Sequence, residues 1–316
     1  MIQTTSHATS YLKRKHPFRK LEDLNLIDNF LFQQMLSQKD DGEKFARILL
    51  STILEKNIKK VHIIPQKSIL GSDTNLHGIR LDAYIEDISD INDNASIESA
   101  STLPNIYDIE PNNSYEKETL PRRMRYYHGL IDSGLLSAGS GYENLPCVII
   151  IVILPYDPFG HNRMVYTIKN HCMEAPEIPY DDGARKIFLY TKGTEGNPSQ
   201  ALRDMLKYIE KSTSANVTNQ DIATIQQMVN RVKHKKEVGI NYMKSWEVEK
   251  MIRENAFHEG FNDGFNDGFN DGSNESIDKM NRLILTLTEK GRIDDLTKAA
   301  KDSAYRIQLM RELNIS

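Results

Sequence analysis

Cysteine is nearly absent: 316 residues contain two, Cys147 and Cys172. That excludes a disulfide framework and a cysteine-rich zinc site, and it fits a reducing cytoplasm. His171-Cys172 has no second pair at a suitable spacing, so it is not a zinc motif. A long apolar run is missing as well. The longest stretch, Cys147 to Leu154, falls far short of the roughly 20 residues that span a bilayer. It reads as a buried strand, and no membrane partner is expected. The N-terminus lacks the apolar segment of a signal peptide, so the expectation is a cytoplasmic protein. Net basic charge is also missing, with 40 Lys and Arg against 44 Asp and Glu. A nucleic-acid ligand survives that balance only if cations are concentrated locally. There is no Walker-type glycine loop and no Gly-x-Ser-x-Gly, which removes two common nucleotide and hydrolase signatures.

What is present changes period along the chain. Residues 1–20 form a polar, basic tail (Lys13, Arg14, Lys15, Arg19, Lys20), readable as a frayed end or as an arm that touches phosphate. Residues 21–57 repeat at helical spacing: Asp28 is positioned to cap one helix, and a second begins near Asp40 or Asp41 with Phe45, Ile48, Leu49 and Ile53 on one face. Val61, Ile63 and Ile64 then suggest a strand. From Gly78 to Asp87 the chain alternates, with Ile79, Leu81, Ala83 and Ile85 on one side and Arg80, Asp82, Tyr84 and Glu86 on the other. Residues 88–104 are rich in Asp, Ser and Asn and read as a long mobile connection. Residues 105–110 return as a strand with Asp108 and Glu110 on one face. A helix over 119–136 has Pro121 in its first turn. The near-continuous Val/Ile run 147–154 predicts a central strand covered on both faces, and 164–169 and 186–191 predict two more. Residues 196–256 read as a helical appendix, in which Arg231 to Lys236 reads as a solvated basic face. Helices are expected again over 275–316. This pattern predicts an α/β or α+β core with an α-helical C-terminal appendix.

Asp82 and Glu110 carry the candidate chemistry. Each lies on the polar side of its strand, and facing carboxylates repel until a divalent cation relieves them. Mg²⁺ takes oxygen ligands, keeps several waters and needs only one or two protein carboxylates. Such an ion generates hydroxide from water and stabilises charge on a scissile phosphate. Half-buried strands also place carboxylates toward solvent with no function, so spacing alone leaves both readings open.

Five segments occur here in order: Asp23-Leu-Asn-Leu-Ile-Asp-Asn-Phe-Leu-Phe32, His77-Gly-Ile-Arg-Leu-Asp-Ala-Tyr-Ile-Glu-Asp87, Ile106-Tyr-Asp-Ile-Glu110, Arg122-Arg-Met-Arg-Tyr-Tyr127 and Pro155-Tyr-Asp-Pro-Phe-Gly160. Together they resemble the Rpn family of recombination-promoting nucleases and putative transposases, a branch of the PD-(D/E)XK superfamily. The resemblance covers roughly residues 21–190 and the repeat-bearing tail. It implies a restriction-endonuclease-like αβββαβ core over 21–195, with a mixed sheet flanked by helices, and DNA cleavage with Mg²⁺, for which Mn²⁺ can substitute. It assigns Asp82 and Glu110 as metal-binding carboxylates and places the third motif position on Asn112, where the superfamily usually has Lys and this branch often Gln. Asn is one methylene shorter than Gln and uncharged. Pro111 retains the carbonyl oxygen a metal would use, and Glu43 is a candidate outer carboxylate.

Arg122, Arg123, Arg125 and Tyr127 share one helix and suit phosphate and base contacts, so DNA is the expected partner. The alternative is structural: an arginine bridging to a carboxylate and tyrosines packed in the core. Asp157, in the turn after the central strand, reads as a turn cap or as a functional residue. Residues 257–274 hold Phe-His-Glu-Gly and three copies of Phe-Asn-Asp-Gly. Their period of four does not match calcium loops, which need alternating oxygen ligands. Four glycines each cost about 1 kcal/mol in a helix relative to alanine, so this segment reads as a partner-dependent helix or a flexible linker, and the C-terminal helices as a route to homo-oligomers. Two functions follow: a Mg²⁺-dependent DNA endonuclease of the recombination or transposase-associated type, or a catalytically weakened descendant that binds DNA or assembles.

Overall fold

The computed structural model describes residues 18–39, 41–69, 78–89 and 104–315. The basic tail up to residue 17 and most of the expected mobile connection, 90–103, lie outside the described residues. The unit Phe18–Met243 is one compact body. Its helices are α1 (Asn29–Leu36), α2 (Gly42–Leu54), α3 (Leu120–Leu135), α4 (Gln200–Glu210) and α5 (Gln220–His234). Its strands are β1 (Val61–Pro65), β2 (Ser68–Ile69), β3 (Ile79–Arg80), β4 (Ala83–Asp87), β5 (Asn105–Pro111), β6 (Val148–Leu154), β7 (Val165–Ile168) and β8 (Ala184–Tyr190).

Six strands form one mixed sheet in the order β1-β4-β5-β6-β8-β7, and β2 and β3 pair separately. The β1/β4, β4/β5 and β7/β8 pairs are antiparallel, while β5/β6 and β6/β8 are parallel. The fold is therefore α/β with a mixed central sheet flanked by helices. All seven residues of β6 are buried, because helices cover both of its faces and a strand in that position needs apolar side chains on each. On one face Ile149, Ile151 and Ile153 pack with α1, α2, α4 and α5 through Phe32, Phe45, Leu49, Leu206 and Ile225. On the other, Val148, Ile150, Val152 and Leu154 pack with Leu120, Met124 and Ile131 of α3.

The alternation expected from Ile79 to Ile85 breaks in the middle. Ile79 and Leu81 join the core under α3, whereas Ala83 and Ile85 join the opposite core. The chain bends at Asp82, leaving the β2–β3 pair and entering β4, and one residue outside extended geometry reverses which face the next side chains occupy. Asp28 precedes α1 without a side-chain capping bond. Its carboxylate instead accepts the Asn25 N–H at 2.7 Å and pairs with Arg19 at 2.8 Å.

Residues 196–243 are not a separate appendix. The apolar faces of α4 and α5 belong to the main core, and the basic run after Asn230, largely solvent-exposed as expected, also contacts the N-terminal segment. Arg231 pairs with Asp41 at 2.7 Å, Lys233 Nζ donates to the carbonyls of Glu22 and Leu24, and Lys235 donates to Gln38.

The C-terminal unit, described from Lys244 to Ile315, contains most of α6 (Lys236–Glu289), with α7 (Ile293–Lys301) and α8 (Ser303–Glu312). Leu283, Leu287, Ala299 and Leu309 form its small core. The backbone of the four-residue repeat is helical throughout 257–274, and the side chains at 261, 264–271 and 273 lie outside the described residues. A Cβ added at Gly260 or Gly272 meets nothing within 4 Å. Gly260→Ala and Gly272→Ala are therefore expected to stabilise α6, each by up to about 1 kcal/mol. Circular dichroism through thermal melting checks this, and a loss of helicity would show that these positions need glycine. No helix among the described residues is long and apolar enough to cross a membrane.

Candidate functional site

The β4–β5 pairing sets the site. Its register places Tyr84 opposite Asp108, and the same register carried two residues further brings Asp82 level with Glu110. There the Asp82 N–H donates to Glu110 Oε1 over 2.9 Å. Both residues are deeply buried, at 7% and 6% exposure. Asp108 lies two residues before Glu110 on β5, and strand periodicity puts their side chains on one face. Asp108 is fully buried, and neither of its oxygens has a regular hydrogen-bond partner. The sequence pairs Asp82 with Glu110, but Asp108 is the third member of the cluster. The alternation that marks Glu110 marks Asp108 equally.

Helix α1 holds Asp82 in place. Asn29 Nδ2 donates to one carboxylate oxygen over 2.9 Å, and Gln33 Nε2 donates to the other over 2.5 Å. Asn29 and Gln33 are one helical turn apart, so both reach the same acceptor. Gln33 in turn accepts from Gln66, which accepts from Arg80. Nothing in the local sequence pattern identifies this relay, because it joins a helix, a turn and a strand far apart in the chain.

Charge in the cluster is strained. Burial, then the neighbouring Asp82, pushes Glu110 up to about 8. Burial, then Glu110 and Asp82, drives Asp108 well above the usual carboxylate range. Burial raises Asp82 too, against the opposing pull of the Gln33 and Asn29 amides and of Arg123 and Arg80. Acids taken out of water beside one another hold protons that solvated acids release.

Helix α3 divides its cations. Arg123 is half-buried, acts electrostatically on all three carboxylates, and is ion-paired with Glu116. Its Nε is buried without a hydrogen-bond partner, and the guanidinium lies 5.8 Å from the centroid of the Tyr127 ring. Tyr127 is half-buried, its hydroxyl pKa raised by burial and then by Glu110. Arg122 and Arg125 are exposed. The structure thus brings Arg123 and Tyr127 to the carboxylates and leaves Arg122 and Arg125 on the solvent side of α3.

The remaining candidates separate. Pro111 ends β5, buried opposite Ile153. Asn112 is buried, but its Oδ1 accepts the Ser114 N–H over 2.8 Å and its Nδ2 has no partner. Its side chain is thus partly committed to a local turn. Glu43 is exposed in the first turn of α2, and among the described residues it is not one of the groups that contact the cluster. Asp157 organises the turn after β6, accepting from the Phe159 and Asn162 N–H groups and the Tyr166 hydroxyl.

Among the described residues, no group of three or more His, Cys, Asp or Glu side chains is arranged to hold a metal ion. Mg²⁺ asks for less than that, since one or two carboxylates and several waters suffice. Asp82 and Glu110 are a donor pair of the kind such a hard cation takes. No protein-family model, curated protein or solved structure matches the chain.

Proposed function

We propose that this chain is a Mg²⁺-dependent DNA endonuclease with a PD-(D/E)XK core, of the recombination or transposase-associated type. The observation that carries the reading is the convergence of Asp82 and Glu110, joined by the Asp82 N–H to Glu110 bond. The succession α2-β1-β4-β5-α3-β6, with β2–β3 as an excursion, accords with an αβββαβ core. Bound Mg²⁺, or Mn²⁺ in its place, supplies Lewis-acid stabilisation and an activated water at a phosphodiester. Asp82 and Glu110 hold the cation. Asn29 and Gln33 fix the orientation of the Asp82 carboxylate, Arg123 offsets negative charge beside the site, and the exposed Arg122 and Arg125 bind backbone phosphates.

Nicking of supercoiled plasmid in Mg²⁺ or Mn²⁺, with wild type beside Asp82→Ala, tests this. Wild type is expected to nick and Asp82→Ala to lose the activity. No cleavage by folded wild type would leave the non-catalytic, DNA-binding reading, which the engagement of Asn112 with Ser114 favours. Cleavage that survives Asp82→Ala would sink the site. Outer hydrogen-bond partners of metal ligands are typically worth about 10–100-fold in metal affinity. Asn29→Ala and Gln33→Ala should each weaken Mn²⁺ binding by that order in calorimetric titration, and unchanged affinity would remove their positioning role.

A further inference from the structure

Just beyond Asn112 the chain presents Tyr115, 74% exposed. Its ring lies against that of Tyr156, with centroids 4.9 Å apart and 53° between the planes. Tyr156 is the fixed member of the pair. It packs against the core under α3, and its hydroxyl accepts the Glu116 N–H over 3.3 Å. Glu116 is also the ion-pair partner of Arg123, so the ring pair and the carboxylate cluster share one structural connection.

Position separates Tyr115 from other exposed tyrosines. Tyr115 follows β5, and Tyr156 follows β6. These strands are parallel neighbours, so both rings stand beyond their carboxyl ends, where open α/β sheets bind ligands. Glu110 lies at that same end of β5. Tyr142 is more exposed still, but it precedes β6 and belongs to the opposite end of the strand.

A large ring exposed on one side and backed by a second ring suits another flat π-system, and every nucleobase has a π-face. Arg122 and Arg125, exposed on the helix that follows, add charge complementary to phosphate. In an intact duplex the base faces are occupied by their neighbours, whereas single strands offer them freely. We propose that Tyr115, backed by Tyr156, is a stacking platform for an unpaired base, and that the DNA engaged at this site is single-stranded, either free or as a locally unpaired stretch of a supercoiled plasmid. The proposal rests on the nuclease reading of the Asp82–Glu110 site.

Fluorescence anisotropy with a labelled single-stranded oligonucleotide and a duplex of equal length, in Ca²⁺ instead of Mg²⁺, tests it. Stacking of one base on an aromatic side chain is worth about 1–3 kcal/mol, so Tyr115→Ala should weaken single-strand binding about tenfold. Duplex binding should change less than about twofold. Tyr115→Phe and Tyr115→Trp should bind single strands like wild type, because the ring and not the hydroxyl makes the contact. Unchanged single-strand affinity for Tyr115→Ala, equal losses on both DNAs, or a loss in Tyr115→Phe matching that in Tyr115→Ala would overturn the platform. A wild type that cleaves plasmid while Tyr115→Ala leaves single-strand binding intact overturns this inference and spares the nuclease. A wild type that neither binds DNA nor cleaves it overturns both.

Discussion

Glu110→Gln is expected to abolish cleavage and to stabilise the fold at the same time. Glutamine keeps a carbonyl oxygen that can accept the Asp82 N–H, so the 2.9 Å contact between β4 and β5 is retained. What disappears is a carboxylate ligand. Lewis-acid stabilisation of a phosphoryl transition state is worth several kcal/mol, and each 1.36 kcal/mol is tenfold in rate, so plasmid nicking should fall about a thousandfold. Stability should move the other way. A group ordinarily near 4.5 and pushed to about 8 by burial and by Asp82 destabilises the folded state near neutral pH. Removing that ionisation should raise cation-free stability by up to about 4 kcal/mol, read from urea unfolding at pH 7.5. A variant less stable than wild type would mean that the Glu110 charge supports the fold, and the strained-cluster interpretation would fail.

Cation-free stability should decline as pH rises from 6.5 to about 8. Glu110 holds its proton in the folded state up to about 8 but releases it near 4.5 when unfolded. Between those values the folded state binds more protons, so stability falls with rising pH. Asp82 and Asp108 are shifted in the same direction by burial. His128 opposes the decline over part of the range. Burial, then Lys186, lowers its pKa from 6.5 to about 4, so the unfolded state binds the extra proton and stability rises with pH in that window. The two effects partly cancel between about 4.5 and 6.5, and above 6.5 only the carboxylates remain. Saturating Mn²⁺ should flatten this descending limb, because a cation replaces the protons among the carboxylates. Urea midpoints from pH 6.5 to 8 with and without Mn²⁺ check it. A flat cation-free profile would show that the cluster is solvated in the working protein.

Much of the core is legible from local periodicity. The apolar run at Val148–Leu154 marks a strand covered on both faces, and the structure places β6 inside the sheet with every residue buried. Asp82 and Glu110 fall on the polar sides of their strands, and the β4–β5 register makes them meet. The bend at Asp82 is less legible. Ile79 and Leu81 read in phase with Ala83 and Ile85, yet they serve opposite cores, because one bent residue resets an alternation that counts only residues.

Arg122, Arg123 and Arg125 are chemically alike, and their sequence neighbourhood does not rank them. Packing of Met124 and Ile131 beneath α3 decides that Arg123 turns toward the acids while the other two face solvent. Asn29 and Gln33 carry no local signal of a role, and Arg231 to Lys236 reads as a solvated basic face. Only the packed chain shows that the first pair holds Asp82 and that the second run clasps Asp41, Glu22 and Leu24.

By itself, therefore, the sequence determined the strands of the main sheet, though not β2 or the break between β3 and β4, together with the buried central run and the carboxylates available at the β4–β5 pair. Each follows from side-chain periods of two or 3.6 residues, which neighbours in the chain enforce. The tertiary structure alone decided that Asp108 is fully buried, that amides from α1 grip Asp82, and that Arg123, alone among the arginines of its helix, turns toward the acids. The amide bonds to Asp82 join residues about fifty positions apart, and close packing of separate elements, which no local period encodes, sets all three.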